Sequence, residues 1–361
     1  MKTKLIIIAS CLFIILFLAS EGCKGGNSSS STPYNNLSKS TSNTQNNSTG
    51  ATTLMLSDVN TNYNYSVQNI TLSATVSSSN SQVNVGAVTF TVQDNKGNIL
   101  GVPVTGNVTN GGASAVYNLP GGTIPSEYNI NGNYKGNNYK SSNGGANLIV
   151  NKTSTTTAVE SQNLTYSGSG QNFTLVATVS AAGSIVNEGK ITFTVKDSHG
   201  NPVGSQVWGL VTNGGTKAAY SLPGGSNAAT YSIEGDYTAE NLENSKGMTS
   251  LTVNPAPTTI TETNTSGDGA SMTFTFTVTS PAGTVNEGQV TFVTLNTGLV
   301  WFYNINVPAP APIAVKGGIA TVTLNGNTKD PNFNTGMHSS INWTYSDNGG
   351  NFKTSNGGGG D

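Results

Sequence analysis

Arginine is absent from this sequence, and 15 lysines supply all of its basic side chains. Charged residues make up only 9% of the 361 residues, and the net charge is −2. A nucleic-acid-binding surface needs many positive side chains that displace counterions, so this composition argues against nucleic acid as a partner. The lack of arginine also excludes the bidentate guanidinium clamp found in many phosphate and carboxylate sites.

Histidine is almost as scarce, which limits the chemistry available to the chain. His199 lies at the tip of a predicted hairpin and His338 in a loop of Gly, Ser and Asn, and no Gly-x-Ser-x-Gly motif accompanies them. A single imidazole without a positioned partner cannot carry out acyl transfer. We therefore expect no catalytic residues, no cofactor and no enzyme activity.

One group of acidic residues suggests calcium, which prefers clustered carboxylate oxygens. Glu234, Asp236, Glu240 and Glu243 lie close together in the sequence. The same residues also fit a solvated strand end and loop, and we favour that interpretation. The sequence therefore predicts no metal site.

The N-terminus has the pattern of an export signal. Lys2 and Lys4 precede an apolar run from Leu5 to Ala19, and small residues then lead to Cys23. A charged start, an apolar stretch and a cleavage zone predict a signal over residues 1–22. The run is short for a membrane span, although a retained anchor helix is the alternative.

Cys23 gives the export signal a more specific interpretation. Ser20-Glu21-Gly22-Cys23 resembles the lipobox of bacterial lipoproteins, which implies that Cys23 is lipidated and becomes the new N-terminus. The alternative is ordinary cleavage, which would leave a free cysteine on a secreted protein. Cys11 would be removed with the signal, so no intrachain disulfide is available and each domain depends on its core. Residues 23–50 are rich in Ser, Asn and Thr, which predicts a disordered tether.

The rest of the chain is organised by a repeated stretch. Gly86-Ala87-Val88-Thr89-Phe90 returns as Gly189-Lys190-Ile191-Thr192-Phe193 and again as Gly288-Gln289-Val290-Thr291-Phe292. The alternation of apolar and polar residues is typical of a half-buried strand. Three copies predict three similar domains, over residues 51–152, 153–254 and 255–361.

Each repeat contains several short strands separated by turn residues, which predicts a β-sandwich. In the first repeat the predicted strands are Thr52–Ser57, Ile70–Ser77, Ala87–Gln93, Ile99–Val104, Ala113–Leu119, Tyr128–Tyr134 and Leu148–Val150. The third repeat differs, because Leu299–Tyr303 replaces the hairpin turn and no counterpart of the last strand is evident. We therefore expect an all-β chain of three tandem sandwiches, the third lacking its last strand.

The repeats resemble the bacterial immunoglobulin-like domain repeats of surface and secreted proteins. The resemblance depends on Gly-x-Val/Ile-Thr-Phe, on the Asp-x-x-Gly-Asn turn, and on the segment Tyr134–Ser142, where Asn137 stands in place of the family's aspartate. It implies an Ig-like sandwich that serves as a spacer, stalk or adhesive module. It carries no catalytic motif over to this chain.

Four aromatic residues are the candidates for contact with a partner: Trp208, Trp301, Phe302 and Tyr303. Adjacent residues of a strand point to opposite faces, so Phe302 cannot share a face with both of its neighbours. Packing within the core or between domains is the favoured interpretation of these residues. The alternative is contact with an unidentified surface protein or carbohydrate.

These patterns together predict a non-catalytic protein of the cell envelope or cell surface. It would be a stalk of Ig-like repeats for adhesion, display or spacing, held at the membrane through the lipid on Cys23. Two alternatives are a subunit that assembles by strand addition at an open edge of the third domain, and an accessory lipoprotein that binds a soluble ligand.

Overall fold

The computed structural model describes residues 50–79, 81–267, 271–292, 299–302, 305–308, 310–325 and 341–359. The predicted export signal, Cys23 and all but the last residue of the predicted tether lie outside these ranges. Every regular element within them is a β-strand. No helix in the described part of the chain has the length and apolar character needed to cross a bilayer.

The first repeat is a sandwich of two sheets. Its strands are β1 (Thr52–Leu56), β2 (Val59–Asn62), β3 (Gln68–Ser78), β4 (Ala87–Gln93), β5 (Ile99–Asn107), β6 (Gly112–Leu119), β7 (Ser126–Gly136) and β8 (Tyr139–Asn151). One sheet has the order β1-β3-β6 and the other β2-β8-β7-β4-β5. The start of the repeat thus contributes to both sheets, because β1 pairs antiparallel with β3 and β2 pairs parallel with β8.

The second repeat has the same plan. Its strands are β9 (Thr155–Val159), β10 (Gln162–Thr165), β11 (Gln171–Ala181), β12 (Lys190–Lys196), β13 (Val207–Leu210), β14 (Gly215–Leu222), β15 (Thr230–Thr238) and β16 (Ser245–Asn254). The sheets have the orders β14-β11-β9 and β10-β16-β15-β12-β13. β10 again pairs parallel with the last strand of its repeat. The expected all-β fold of tandem Ig-like sandwiches is confirmed.

The repeated stretch is the centre of each core. In β4, Val88, Phe90 and Val92 are fully buried between the sheets, whereas Thr89 faces solvent. On β7, the neighbouring strand of the same sheet, the buried Tyr134 donates a hydrogen bond of 2.9 Å to the carbonyl of Val85. The alternation read from the sequence therefore separates core from surface.

The tyrosine hydrogen bond recurs in all three repeats. Tyr237 donates to the carbonyl of Glu188 at 3.1 Å, and Tyr345 donates to that of Glu287 at 3.0 Å. The next residue is in each case a glycine with positive φ, +92° at Gly86. A side chain there would overlap the tyrosine ring and the neighbouring backbone, which explains the glycine that opens the motif.

The third repeat keeps the two-sheet plan with different strands. They are β17 (Thr259–Gly267), β18 (Ser271–Thr279), β19 (Gln289–Phe292), β20 (Leu299–Phe302), β21 (Ile305–Pro308), β22 (Ile313–Ala314), β23 (Ile319–Asn325), β24 (Ile341–Ser346) and β25 (Ser355–Gly359). The sheets have the orders β17-β18-β23 and β22-β19-β24-β25, and β20 and β21 form a separate hairpin. β17 pairs with β18 along its whole length, with one bulge between Glu262 and Asn264.

The expectation that the third repeat lacks its last strand was wrong. Ser355–Gly359 pairs antiparallel with β24, from Tyr345 opposite Ser355 to Ile341 opposite Gly359. The glycine-rich sequence gave no apolar alternation by which to recognise this strand. Ladder hydrogen bonds come from the backbone, however, and do not require apolar side chains. The strand-addition hypothesis, which depended on its absence, loses its basis.

The core of the third repeat replaces small residues with aromatic ones. Trp343 lies opposite Phe292 in the ladder, where Gly132 lies opposite Phe90 in the first repeat. Its ring centroid is 5.0 Å from that of Phe276. In the first repeat the space at Gly132 is filled by leucines of β1. The same sandwich is therefore packed in two ways.

Buried apolar side chains form two clusters. One runs continuously through the first and second repeats, and the other fills the third repeat. Tyr166 of the second repeat packs against both clusters. Successive repeats are thus joined by packed side chains as well as by the chain itself.

Candidate functional site

The candidates for chemistry lie apart from one another. His199 occupies the turn after β12, where its backbone amide donates to the carboxylate of Asp197 at 2.9 Å. His338 lies outside the described residues. Within the described ranges, no group of three or more His, Cys, Asp or Glu side chains is arranged to bind a metal ion.

The acidic residues considered for calcium are engaged with lysines or exposed. The Glu234 carboxylate lies 2.7 Å from Lys196 Nζ and 3.3 Å from Lys246 Nζ. The hydrogen bond from Lys196 lowers the pKa of Glu234, against the opposing effect of burial and with a further contribution from Lys246. Asp236 pairs with Lys246 at 3.3 Å. Glu240 and Glu243 are exposed.

Hydrogen bonds connect the first and second repeats at their junction. The Thr153 hydroxyl donates to the carbonyl of Tyr63 at 2.5 Å, and its own carbonyl accepts from the backbone amide of Glu243 at 2.9 Å. Thr153 and Tyr63 are only 4% and 6% exposed, respectively. One residue therefore connects a loop of the first repeat to a loop of the second.

Two tyrosines extend this junction. The rings of Tyr63 and Tyr65 meet edge to face, with centroids 5.1 Å apart. The Tyr65 hydroxyl accepts a hydrogen bond from the backbone amide of Asn187 in the second repeat at 3.4 Å. Burial, reinforced by the charge of Glu188, raises the pKa of Tyr63.

The junction between the second and third repeats uses equivalent positions. Ala256 stands where Thr153 stands in the first junction, and its carbonyl accepts from the backbone amide of Lys353 at 2.7 Å. Tyr166 stands in place of Tyr63, and its ring meets Phe352 edge to face with centroids 5.2 Å apart. Ala256 is fully buried.

A buried asparagine supplies the polar part of the second junction. Asn351 is 5% exposed, and its side-chain carbonyl accepts from the backbone amide of Ala228 at 2.7 Å. Its Nδ2 donates to Glu287 Oε1 at 2.9 Å and to Asn227 Oδ1 at 3.3 Å. Asn351 thereby connects the third repeat to a loop of the second, a role that Thr153 fills at the first junction.

Sequence reasoning missed both junctions. Asn151-Lys152-Thr153 reads as a polar linker, and nothing in its composition marks Thr153 as buried. The signal that was present is the recurrence of Tyr63 as Tyr166 at the same place in successive repeats. A tyrosine that recurs immediately after a strand is better explained by a repeated contact than by chance.

Trp208, one of the candidates for partner contact, lies on the outer face of the second repeat. It belongs to β13, which forms an edge of its sheet, and 61% of the residue is exposed. Lys190 Nζ lies 5.9 Å from the centre of its ring. Leu210 on the same strand is 68% exposed. Trp208 therefore takes no part in the core or in the junctions described above.

Two further aromatic candidates for partner contact lie in the β20–β21 hairpin of the third repeat. Trp301 and Phe302 belong to β20, where they lie opposite Asn306 and Ile305 of β21. The structure describes only their backbone, and Tyr303 lies outside the described residues. Contact of these three aromatic residues with a partner stays a prediction.

Several solved structures are similar to the chain in part. A tetra-tandem repeat from the extending region of a large adhesion protein matches with 16% identity and a TM-score of 0.37, covering 86% of this chain and 73% of that one. The Yersinia pseudotuberculosis adhesin InvE matches with 19% identity and a TM-score of 0.30, covering 62% and 66%. Immunoglobulin domains 1–5 of Sidekick-1 match with 11% identity and a TM-score of 0.30, covering 84% and 56%. No family model and no curated protein matches the chain.

Proposed function

We propose that this chain is a non-catalytic, exported protein of the cell surface. Its Ig-like repeats form a stalk for adhesion, display or spacing, and a lipid on Cys23 holds the stalk at the membrane. The repeats follow the residue 1–22 signal and the polar tether, and they occupy residues 51–152, 153–254 and 255–361. In this role the repeats hold a surface at a distance from the membrane.

The observation that carries this proposal is the pair of equivalent junctions. Domains joined by short linkers move relative to one another by default unless an interface restrains them. Here Thr153 at one junction and Asn351 at the other are buried and hydrogen-bonded to the preceding repeat. Restraining each repeat against the next supports a role in holding a surface at a set distance.

Scattering tests the stalk. Small-angle scattering of the soluble chain is expected to give a maximum dimension near 100 Å, as for three domains of about 100 residues arranged in a row. Replacing both Thr153 and Asn351 with glycine should broaden the distribution of dimensions without unfolding the repeats. A dimension close to that of one globule would contradict the stalk.

Lipid labelling tests the anchor. Cells that express the chain with a radiolabelled fatty acid should give a labelled protein in the membrane fraction. Cys23→Ala should abolish the label, whereas Cys11→Ala should leave it, since Cys11 is removed with the signal. An unlabelled, fully secreted wild-type protein would contradict the anchor and leave the stalk to be judged by scattering.

A further inference from the structure

We propose that the outer sheet face of the second repeat binds an acidic polysaccharide. The Trp208 indole would pack on the C–H face of a sugar ring, and Lys190 would pair with a carboxylate of the same chain. This inference rests on the proposed surface function, which it makes more specific. It is carried by the exposure of Trp208, by the charges around it, and by comparison with the first repeat.

The first step is the placement of Trp208. A tryptophan that is 61% exposed leaves a large apolar ring in water, and this one points away from the core on a sheet edge. The ring carries a negative π face that attracts cations and C–H groups. Lys190 Nζ, 5.9 Å from the ring centre, already marks that face as a place for positive partners.

The second step is the charge of the face. Lys196 and Lys246 form salt bridges with Glu234 and Asp236 across the neighbouring strands. Lys190 takes part in none of the salt bridges among the described residues. The face thus has one positive charge in excess, and it lies beside the exposed ring. A ligand that combines an apolar ring face with a carboxylate complements this arrangement.

The third step is an internal comparison. Residues equivalent in register on the first repeat are Thr105 for Trp208 and Ala87 for Lys190. On that face the partners of β4 are Asn131 and Asn133 opposite its two threonines and Lys135 opposite Ala87, so the first repeat has a lysine there but no aromatic ring. The two repeats share their core and sheet order, so the fold itself does not require tryptophan and lysine at these positions.

The fourth step is the shape of the face. Trp208, Thr192, Asp236 and Lys246 lie in register across four adjacent strands. Three strand spacings separate the ends of this row, a distance of about 14 Å. A row of three hydrogen-bonding side chains beside one exposed ring suits a short stretch of polysaccharide lying on the sheet.

The test is a binding measurement on the full chain in detergent. The probes are polygalacturonate and alginate as acidic polysaccharides, dextran as a neutral one, and poly-L-glutamate as an acidic peptide. We expect the acidic polysaccharides to bind and the other two to bind at least about tenfold more weakly, because each lacks one of the two complementary groups.

The variants convert the second repeat to the first. Trp208→Thr is expected to weaken binding at least about tenfold. Lys190→Ala should weaken it about three- to fivefold at low salt and make binding less sensitive to added salt. Val102→Ala, at a side chain that is 76% exposed on the first repeat, is the matched control and should change nothing. Thermal unfolding of each variant should match the wild type, since all three positions are exposed.

Three results would overturn the inference. They are binding of neither acidic polysaccharide at millimolar sugar concentration, equal binding of poly-L-glutamate, or binding that survives Trp208→Thr. Binding of poly-L-glutamate alone would assign the face to an acidic peptide. None of these results bears on the lipid anchor or the stalk, which fatty-acid labelling and scattering decide separately.

Discussion

Thr153 and Tyr63 are joined by a 2.5 Å hydrogen bond although 90 residues separate them in sequence. The donor is the first residue of one repeat, and the acceptor lies on a loop of the repeat before it. A buried hydroxyl that loses its acceptor, or a carbonyl that loses its donor, costs more than an exposed one. This contact therefore restrains the angle between two sandwiches and contributes to the stability of both.

Thr153→Val tests that contribution, because valine keeps the shape of threonine and removes the hydroxyl. We expect the free energy of unfolding to fall by about 1–2 kcal/mol, since the Tyr63 carbonyl loses a buried donor. Thr71→Val, at an exposed position on β3, is the control and should change stability by less than about 0.5 kcal/mol. Chemical denaturation provides the measurement, and equal effects of the two variants would contradict the prediction.

The aromatic contact at the second junction can be measured as a coupling. Tyr166 and Phe352 meet edge to face, and such pairs contribute about 0.5–1.5 kcal/mol beyond their burial. A double-mutant cycle with Tyr166→Leu and Phe352→Leu should give a coupling energy in that range. The cycle of Tyr166→Leu with Phe90→Leu, in the core of the first repeat, should be additive. A coupling near zero in the first cycle would show that the two rings do not interact in solution.

Glu234 makes one stabilising interaction dependent on pH. Its pKa is lowered in the folded state, first by the hydrogen bond from Lys196, so the stabilisation is present above the unfolded pKa and is lost as pH falls through the folded value. Glu234→Gln should lower stability by about 1 kcal/mol at neutral pH. The difference from wild type should disappear in acid, where both chains are uncharged at this position.

Asp236→Asn is the matched control for that prediction. Asp236 also pairs with Lys246, but the side chains of both residues are about half exposed, so removing the Asp236 charge should have little effect at any pH. Melting curves of the three proteins across acid and neutral pH provide the comparison. A Glu234→Gln penalty that persists unchanged into acid would show that the carboxylate acts by shape and not by charge.

The cores of the first and third repeats are filled differently, and this difference predicts how substitutions at Gly132 and Leu56 combine. A side chain at Gly132 would approach Leu56 Cδ1 to 2.8 Å and Leu54 Cδ2 to 3.0 Å. Gly132→Val should therefore destabilise the chain by about 1–3 kcal/mol through overpacking. Adding Leu56→Ala should recover part of that loss, because it opens the space that the third repeat gives to Trp343.

Asn131→Val supplies the comparison for Gly132→Val. Asn131 neighbours Gly132 on β7 but points to solvent, so the same new side chain meets no core residue there. Chemical denaturation of the single and double variants measures whether Leu56→Ala compensates for Gly132→Val. Compensation between β1 and β7 would be ruled out if the double variant lost more free energy of unfolding than the two single variants lose together.

Alternating apolar residues made most of the strands predictable. The predicted strand Ala87–Gln93 has the observed bounds, because its buried valines and phenylalanine repeat every second residue. The last strand of the first repeat was predicted as Leu148–Val150 and extends over Tyr139–Asn151. In sequence, the adjacent glycines Gly144 and Gly145 are typical of a turn. In the structure Gly144 lies in the strand, where a Cβ would come within 2.5 Å of the Leu54 carbonyl oxygen, so glycine allows close approach of β1.

Polar strands and polar contacts were the part that the sequence did not reveal. Val59–Asn62 has too little apolar content to show alternation, and its structure comes from backbone pairing with β8. The junctions depend on which loop faces which, and that is set by the packing of two folded domains. Trp208 could be named from the sequence as a contact candidate, but its relation to Lys190 required the register of β12 against β13.

The parallel pairing of β2 with β8 has a mechanical consequence. The two strands lie near opposite ends of the first repeat's sequence, so a force that stretches the chain pulls them past each other in opposite directions. Their ladder hydrogen bonds, from Val59 opposite Leu148 to Asn62 opposite Asn151, are then strained together instead of opening one at a time. β10 and β16 repeat the arrangement in the second repeat, so both sandwiches are built to resist extension.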